Sequence, residues 1–130
     1  MASLDGSTLV TYEAARSFFA ARLANSSFER LCVVHLGADG RVLGETAADG
    51  HPGRVALPLR RLFADALRLD ARAMLAAHNH PGGLAEPSAG DLIATRRLAE
   101  TADALGIRLQ DHLIVLPGGG AVSLRALGLL

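Results

Sequence analysis

The sequence predicts an α/β fold built on a mixed β-sheet. Three observations carry that prediction. Short apolar runs of strand length alternate with stretches whose apolar residues recur at helical spacing. The first two strand-like runs are joined by a turn signal, so at least one strand pair is antiparallel. The chain has 130 residues, half of them hydrophobic, which supplies a core for one domain over 1–130 and leaves no room for two.

The elements follow in order. Tyr12 to Ala24 reads as a helix, with Ala15, Phe18, Phe19 and Leu23 at helical spacing and Thr11 as its cap. Arg30 to Leu36 is a Val- and Leu-rich run that reads as a buried strand, and Ala38-Asp39-Gly40 turns the chain. Arg41 to Ala48 completes a hairpin, and a loop with Asp49-Gly50-His51-Pro52-Gly53 follows. Leu57 to Leu69 reads as an amphipathic helix: Leu59, Leu62, Phe63, Ala66 and Leu67 form its stripe, with Arg60, Arg61, Asp65 and Arg68 off it. Ala71 to Ala77 is a third strand, rich in alanine. Ser88 to Leu105 is a long helix with Leu92, Thr95, Leu98, Ala99, Ala102 and Leu105 on one face, ended by Gly106. Leu109 to Leu116 and Ala121 to Leu124 are the last strands, separated by the turn Pro117–Gly120.

Composition excludes several classes. Thirteen Arg balance thirteen acids and Lys is absent, so no strong positive field recruits nucleic acid. The longest apolar run is about five residues, against roughly 18 for a membrane-spanning helix. The opening residues lack a basic segment followed by an apolar one, so no signal peptide is expected. A lone cysteine, Cys32, lies in an apolar run and is expected to be a buried, inert thiol. A cytoplasmic protein is the expectation.

The chemistry concentrates in His78-Asn79-His80-Pro81 followed by Ser88-Ala89-Gly90-Asp91. Residues two apart on extended chain point the same way, so His78 and His80 converge on one point. Pro81, Gly82 and Gly83 then turn the chain, and a helix opening at Ser88 brings Asp91 back towards them. Two imidazoles, one carboxylate and a water make the open tetrahedral site of a catalytic zinc. Ser88-x-x-Asp91 also fits a helix N-terminus, with Ser88 as cap and Asp91 favourable in the first turn. Both readings of that pair stand at this point. Glu45 is the candidate base: in its strand it shares a face with Leu43 and Ala47, where apolar neighbours would raise its pKa, although its position alone favours an ordinary Glu near a strand end that faces water.

Glu45, His78-x-His80-Pro81 and Ser88-x-x-Asp91 together resemble the JAMM (MPN+) metalloprotease motif. The longer string from His78-Asn79-His80-Pro81-Gly82-Gly83 through Thr95-Arg96-Arg97-Leu98 is similar to the bacterial RadC family. So is Gly106-Ile107 with Asp111-His112-Leu113-Ile114-Val115. Residues 28–130 carry the resemblance as a metal-binding core, with a helix over 1–25 ahead of it. Those leading residues are too few for the helical DNA-binding region that longer RadC relatives carry. Asn79 agrees with RadC, where eukaryotic members have Ser or Thr; Gly82 stands where RadC usually has Ser.

The resemblance implies a JAMM, or cytidine-deaminase-like, α-β-α sandwich and hydrolysis of peptide or isopeptide bonds. It implies His78, His80 and Asp91 as ligands of Zn2+, Glu45 as the base acting on the zinc water, and Ser88 as an oxyanion donor. Two further readings compete: a non-catalytic zinc-stabilised module associated with DNA repair, and a metal-dependent nuclease. Glu45 separates hydrolase from module by its distance from the metal. A deaminase is disfavoured because its H-x-E and P-C-x-x-C elements are absent. Among the other histidines, His35 reads as packed, His51 as exposed, and His112 as a neighbour of the site or a structural residue. Arg60, Arg61 and Arg68 read as a solvated helix face.

Overall fold

The computed structural model describes residues 8–50 and 57–130. His51 and the Pro52-Gly53 turn lie outside the described residues. Eight elements follow in the order α1 (Tyr12–Leu23), β1 (Arg30–Leu36), β2 (Val42–Asp49), α2 (Leu59–Arg68), β3 (Ala73–Asn79), α3 (Ala89–Ala104), β4 (Arg108–Val115) and β5 (Ala121–Ser123). The five strands form one sheet in the order β2-β1-β3-β4-β5. Only β3 and β4 run parallel; the other neighbouring pairs are antiparallel. The expected mixed sheet is therefore present.

Helices cover both faces. Phe18, Phe19 and Leu23 of α1 pack with Cys32, Val34, Leu75 and Val115 on one side. Leu62 and Phe63 of α2, with Leu98 and Ala102 of α3, pack with Val33, Met74 and Ala76 on the other. Alternate residues of one strand thus serve two cores. That is why β1 and β3 read as unbroken apolar runs, and every residue of β3 is buried. Its alanines let the two layers of helices approach the sheet closely. The sequence-predicted start at Ala71 moves to Ala73, and the strand continues through His78 to Asn79. In α2, Leu67 points outward at 58% exposure, so its buried stripe is Leu62, Phe63 and Ala66.

Both ends of α3 are specified locally. Ser88 caps it by accepting from Asp91 N (3.0 Å). Gly106 takes a positive φ of 72°, which lets its N–H reach Asp103 O and the Ile107 N–H reach Ala102 O. This is the paired bonding of a Schellman ending, and buried Ile107 anchors it. The connection β3–α3–β4 then sets the opening turn of α3 beside the carboxyl ends of two parallel strands. Open α/β sheets commonly bind ligands there.

Candidate metal centre

His78 is on β3 with its ring on the α2/α3 side, and His80 is the first residue past the end of that strand. The backbone N–H of His80 still donates to Val115 O (3.0 Å), so the β3–β4 ladder holds its position. Asp91 sits in the first turn of α3. The three side chains converge as the spacing predicts. The Nε2 atoms of His78 and His80 are 3.0 Å apart. They lie 3.3 Å from Asp91 Oδ1 and 3.1 Å from Asp91 Oδ2, respectively. Bonds of about 2.0–2.1 Å at tetrahedral angles set ligand atoms about 3.3 Å apart, so these separations, the two to Asp91 ending on different carboxylate oxygens, are of the size a four-coordinate metal requires.

The donor set fits a cation as well. His80 Nδ1 lies 2.6 Å from Leu84 O, a group that only accepts. Nδ1–H therefore donates to Leu84 O, which leaves Nε2 as the ring nitrogen that faces the cluster. His78 Nε2, His80 Nε2 and the Asp91 carboxylate oxygens converge on one point, a donor set of the kind that holds a divalent ion.

Partial burial pushes the Asp91 carboxyl up. The hydrogen bond and charge of His78, the Ser88 N–H and the charge of His80 outweigh this and hold it well below the usual carboxylate range. Asp91 is thus ionised, as a ligand must be. Its capping role and its place in the cluster coexist: Oδ2 accepts from Ser88 N at 2.8 Å while facing His80.

Behind His78 runs a buried polar chain. His78 Nδ1 lies 2.8 Å from His112 Nε2, and His112 Nδ1 lies 2.7 Å from Thr95 Oγ1. Thr95 Oγ1 donates to the backbone oxygen of Asp91 at 2.8 Å. Burial, aided by the charges of His78 and His80 and opposed by Asp91, pushes His112 down to about 3. Its ring is neutral. Asp111 beside it is structural: its carboxylate accepts from His112 N, Ser123 Oγ and Arg125 N.

Glu45 is not brought to this cluster, and the expectation for it is corrected. It faces α1, on the opposite side of the sheet. There its carboxylate accepts from Arg22 Nε (3.0 Å) and Cys32 Sγ (3.1 Å). Burial pushes its pKa up, but the Arg22 and Cys32 hydrogen bonds and the Arg22 charge pull it below the ordinary value. A raised pKa is therefore also corrected. The physical reason is a bulge. Leu36 pairs with Val42 while His35 pairs with Gly44, so Leu43 is the extra residue. Leu43 packs on the α2/α3 side, whereas Glu45 and Ala47 share a cavity with Cys32 and Arg22. The Cys32 thiol is raised far above its ordinary value by burial first and by Glu45 second, so it is inert as expected.

A different carboxylate, Glu29, lines a groove beside the cluster. In the β1–β3 ladder Leu31 pairs with His78; continued by two residues, that register sets Glu29 opposite His80. Glu29, His80, Leu84, Glu86 and Ser88 line one groove, about 440 Å³ in volume, with Phe28 exposed at its edge. Asn79 fixes this segment. Its Oδ1 accepts from Arg30 N (2.7 Å) and its Nδ2 donates to Phe28 O (3.0 Å). A second cavity of about 460 Å³, lined by His78, Ser88, Asp91, His112, Leu57 and Leu98, opens on the other side of the cluster. Sequence spacing missed Glu29 because the signal is the β1–β3 pairing, which joins strands separated by β2 and α2.

Comparison with known proteins agrees with this architecture. A family model described as the RadC-like JAB domain matches residues 9–129. The UPF0758 protein STH371 of Symbiobacterium thermophilum is 39% identical over 114 residues, covering 87% of this chain and 48% of its own length. A UPF0758 protein of Acidithiobacillus ferrooxidans is 40% identical over 114 residues, covering 87% and 50%. The chain spans about half the length of these curated relatives. A match over nearly the whole chain, on the sheet order and histidine pair described above, has one consequence: the chain belongs to the RadC-like JAB domain family.

Proposed function

We propose that this chain is a zinc-dependent hydrolase of peptide or isopeptide bonds, with His78, His80 and Asp91 as the zinc ligands. The observation that carries the proposal is the convergence of His78 Nε2, His80 Nε2 and the Asp91 carboxylate, at separations of 3.0, 3.1 and 3.3 Å. Zinc held there lowers the pKa of a water to about 7 and polarises a carbonyl. Glu29, not Glu45, serves as the base: it shares the groove with His80 and Ser88, takes the water proton and passes it to the leaving amine. Ser88 Oγ accepts from Asp91 N and keeps its own hydrogen, which it donates to the oxyanion.

The substrate is a peptide or protein. Among the described residues both cavities beside the cluster are lined without arginine, and the groove carries Glu29 and Glu86, so those residues offer polyphosphate chains no counter-charge. The position of Glu45 on its own would favour a non-catalytic module; Glu29 supplies the missing carboxylate.

The test is metal content by mass spectrometry on protein purified without chelator, then cleavage of peptide and isopeptide substrates. About one zinc per chain is expected in the wild type and none in His80→Ala. Glu29→Gln should keep zinc and lose about 100-fold or more in rate, the scale of general-base catalysis. Glu45→Gln should cleave like the wild type. Zinc-free wild type after reconstitution, or a Glu29→Gln variant at full rate, overturns the reading.

A further inference from the structure

We propose that His112 and Thr95 are positioning residues: together they hold the His78 ring with its Nε2 lone pair aimed at the metal centre. The proposal rests on the zinc reading above.

The direction of the chain follows from counting hydrogens. Thr95 Oγ1 has one hydrogen, and it goes to Asp91 O at 2.8 Å. Towards His112 it must therefore accept, so His112 Nδ1 carries a proton across their 2.7 Å contact. A His112 ring with its one proton on Nδ1 leaves Nε2 to accept from His78 Nδ1–H across their 2.8 Å contact. With its proton on Nδ1, His78 has its lone pair on Nε2, the atom 3.0 Å from His80 Nε2. Each link leaves one orientation for the next.

The rest of the site needs such a device. Leu84 O fixes the ring of His80, and Ser88 N fixes the carboxylate of Asp91. His78 has no backbone partner and depends on a side chain from β4. His112 and Thr95 are both buried, at 4% and 1% exposure, so no solvent competes for these bonds. The chain also ends on the backbone of Asp91, another ligand. It therefore ties β3 to the first turn of α3 through β4 and fixes two ligands relative to each other. Partners behind a ligating histidine commonly set its tautomer and its basicity.

The experiment compares zinc affinity, by chelator competition, in wild type, Thr95→Val, Thr95→Ser and His112→Phe. Thr95→Val keeps the shape and removes the hydroxyl; about tenfold weaker zinc binding is expected, within the range of such partners. Thr95→Ser keeps the hydroxyl and should bind like the wild type. His112→Phe should bind weaker still. Nitrogen-15 NMR of the zinc-loaded wild type gives a readout that does not depend on a variant folding. His112 should appear as the Nδ1–H tautomer, with a coupling across the His78–His112 hydrogen bond. Wild type that takes up no zinc overturns the metal centre itself. Wild type that binds zinc, with Thr95→Val equally tight or His112 protonated on Nε2 instead, overturns the positioning role alone.

Discussion

His35 shows how a polar residue is accommodated where no solvent reaches. It is fully buried in β1, as its place in an apolar run suggested. Thr46 Oγ1 donates to Asp65 Oδ2 at 2.6 Å, so it accepts from His35 Nε2–H at 2.8 Å. Nδ1 is then a bare lone pair, without a partner among the described residues. Burial lowers the pKa of the ring, Asp65 opposes that, and Arg68 adds to it. The folded protein thus refuses a proton that the unfolded chain accepts below about pH 6.5. The stability this neutral ring contributes is complete above that pH and is lost as pH falls. Thermal melts at about pH 8 and pH 5.5 should show a smaller acid loss for His35→Leu than for the wild type. Equal losses in the two proteins would remove His35 from the account. Glu45 marks what a sequence does not reveal at this scale. Alternation says that a residue points inward, but a sheet covered on both faces has two inward sides. A one-residue bulge at Leu43 then moves Glu45 relative to Leu43. The histidines escape this ambiguity because residues 78 and 80 stay together on whichever side they fall.

The helices were legible because their limits are local chemistry. Thr11 caps α1 by accepting from Ala14 N at 3.1 Å, and Ser88 caps α3 in the same manner. Gly106 stops α3 at the position a left-handed residue is needed. All eight elements lie where apolar periodicity and turn residues put them, to within a few residues. The order of strands was not legible. Strand β1 pairs with β2 through a short turn but with β3 across β2 and α2, and no local signal encodes that second pairing. The two caps allow the double role of Ser88 to be separated. Ser88→Ala and Thr11→Ala should each cost about 1 kcal/mol in denaturant melts, the usual loss of a capping hydroxyl. Only Ser88→Ala should also slow hydrolysis at saturating zinc. Equal activity in the two variants would reduce Ser88 to a cap.

For the molecule as a whole, the two cores make the sheet the element on which everything else is placed. No helix among the described residues is long and apolar enough to cross a membrane. The balanced charge gives the chain no strong net field, and among the described residues the cavities beside the cluster are lined without arginine. All three proposed ligands come from the single stretch between His78 and Asp91, and this has a consequence for refolding with metal. If they hold the ion, a denatured chain also carries two imidazoles and a carboxylate close enough in sequence to compete for it. Ligand binding stabilises only by its preference for the native state, about 2.7 kcal/mol at 100 times Kd when the unfolded chain binds nothing. The gain measured in zinc titrations of thermal stability should fall short of that figure. Mutating His80 should abolish the gain and the shortfall together. A full mass-action gain would mean that unfolded chain leaves the ion free. A shortfall would make zinc a ligand of both ends of the folding reaction, retained while the chain opens and closes around it.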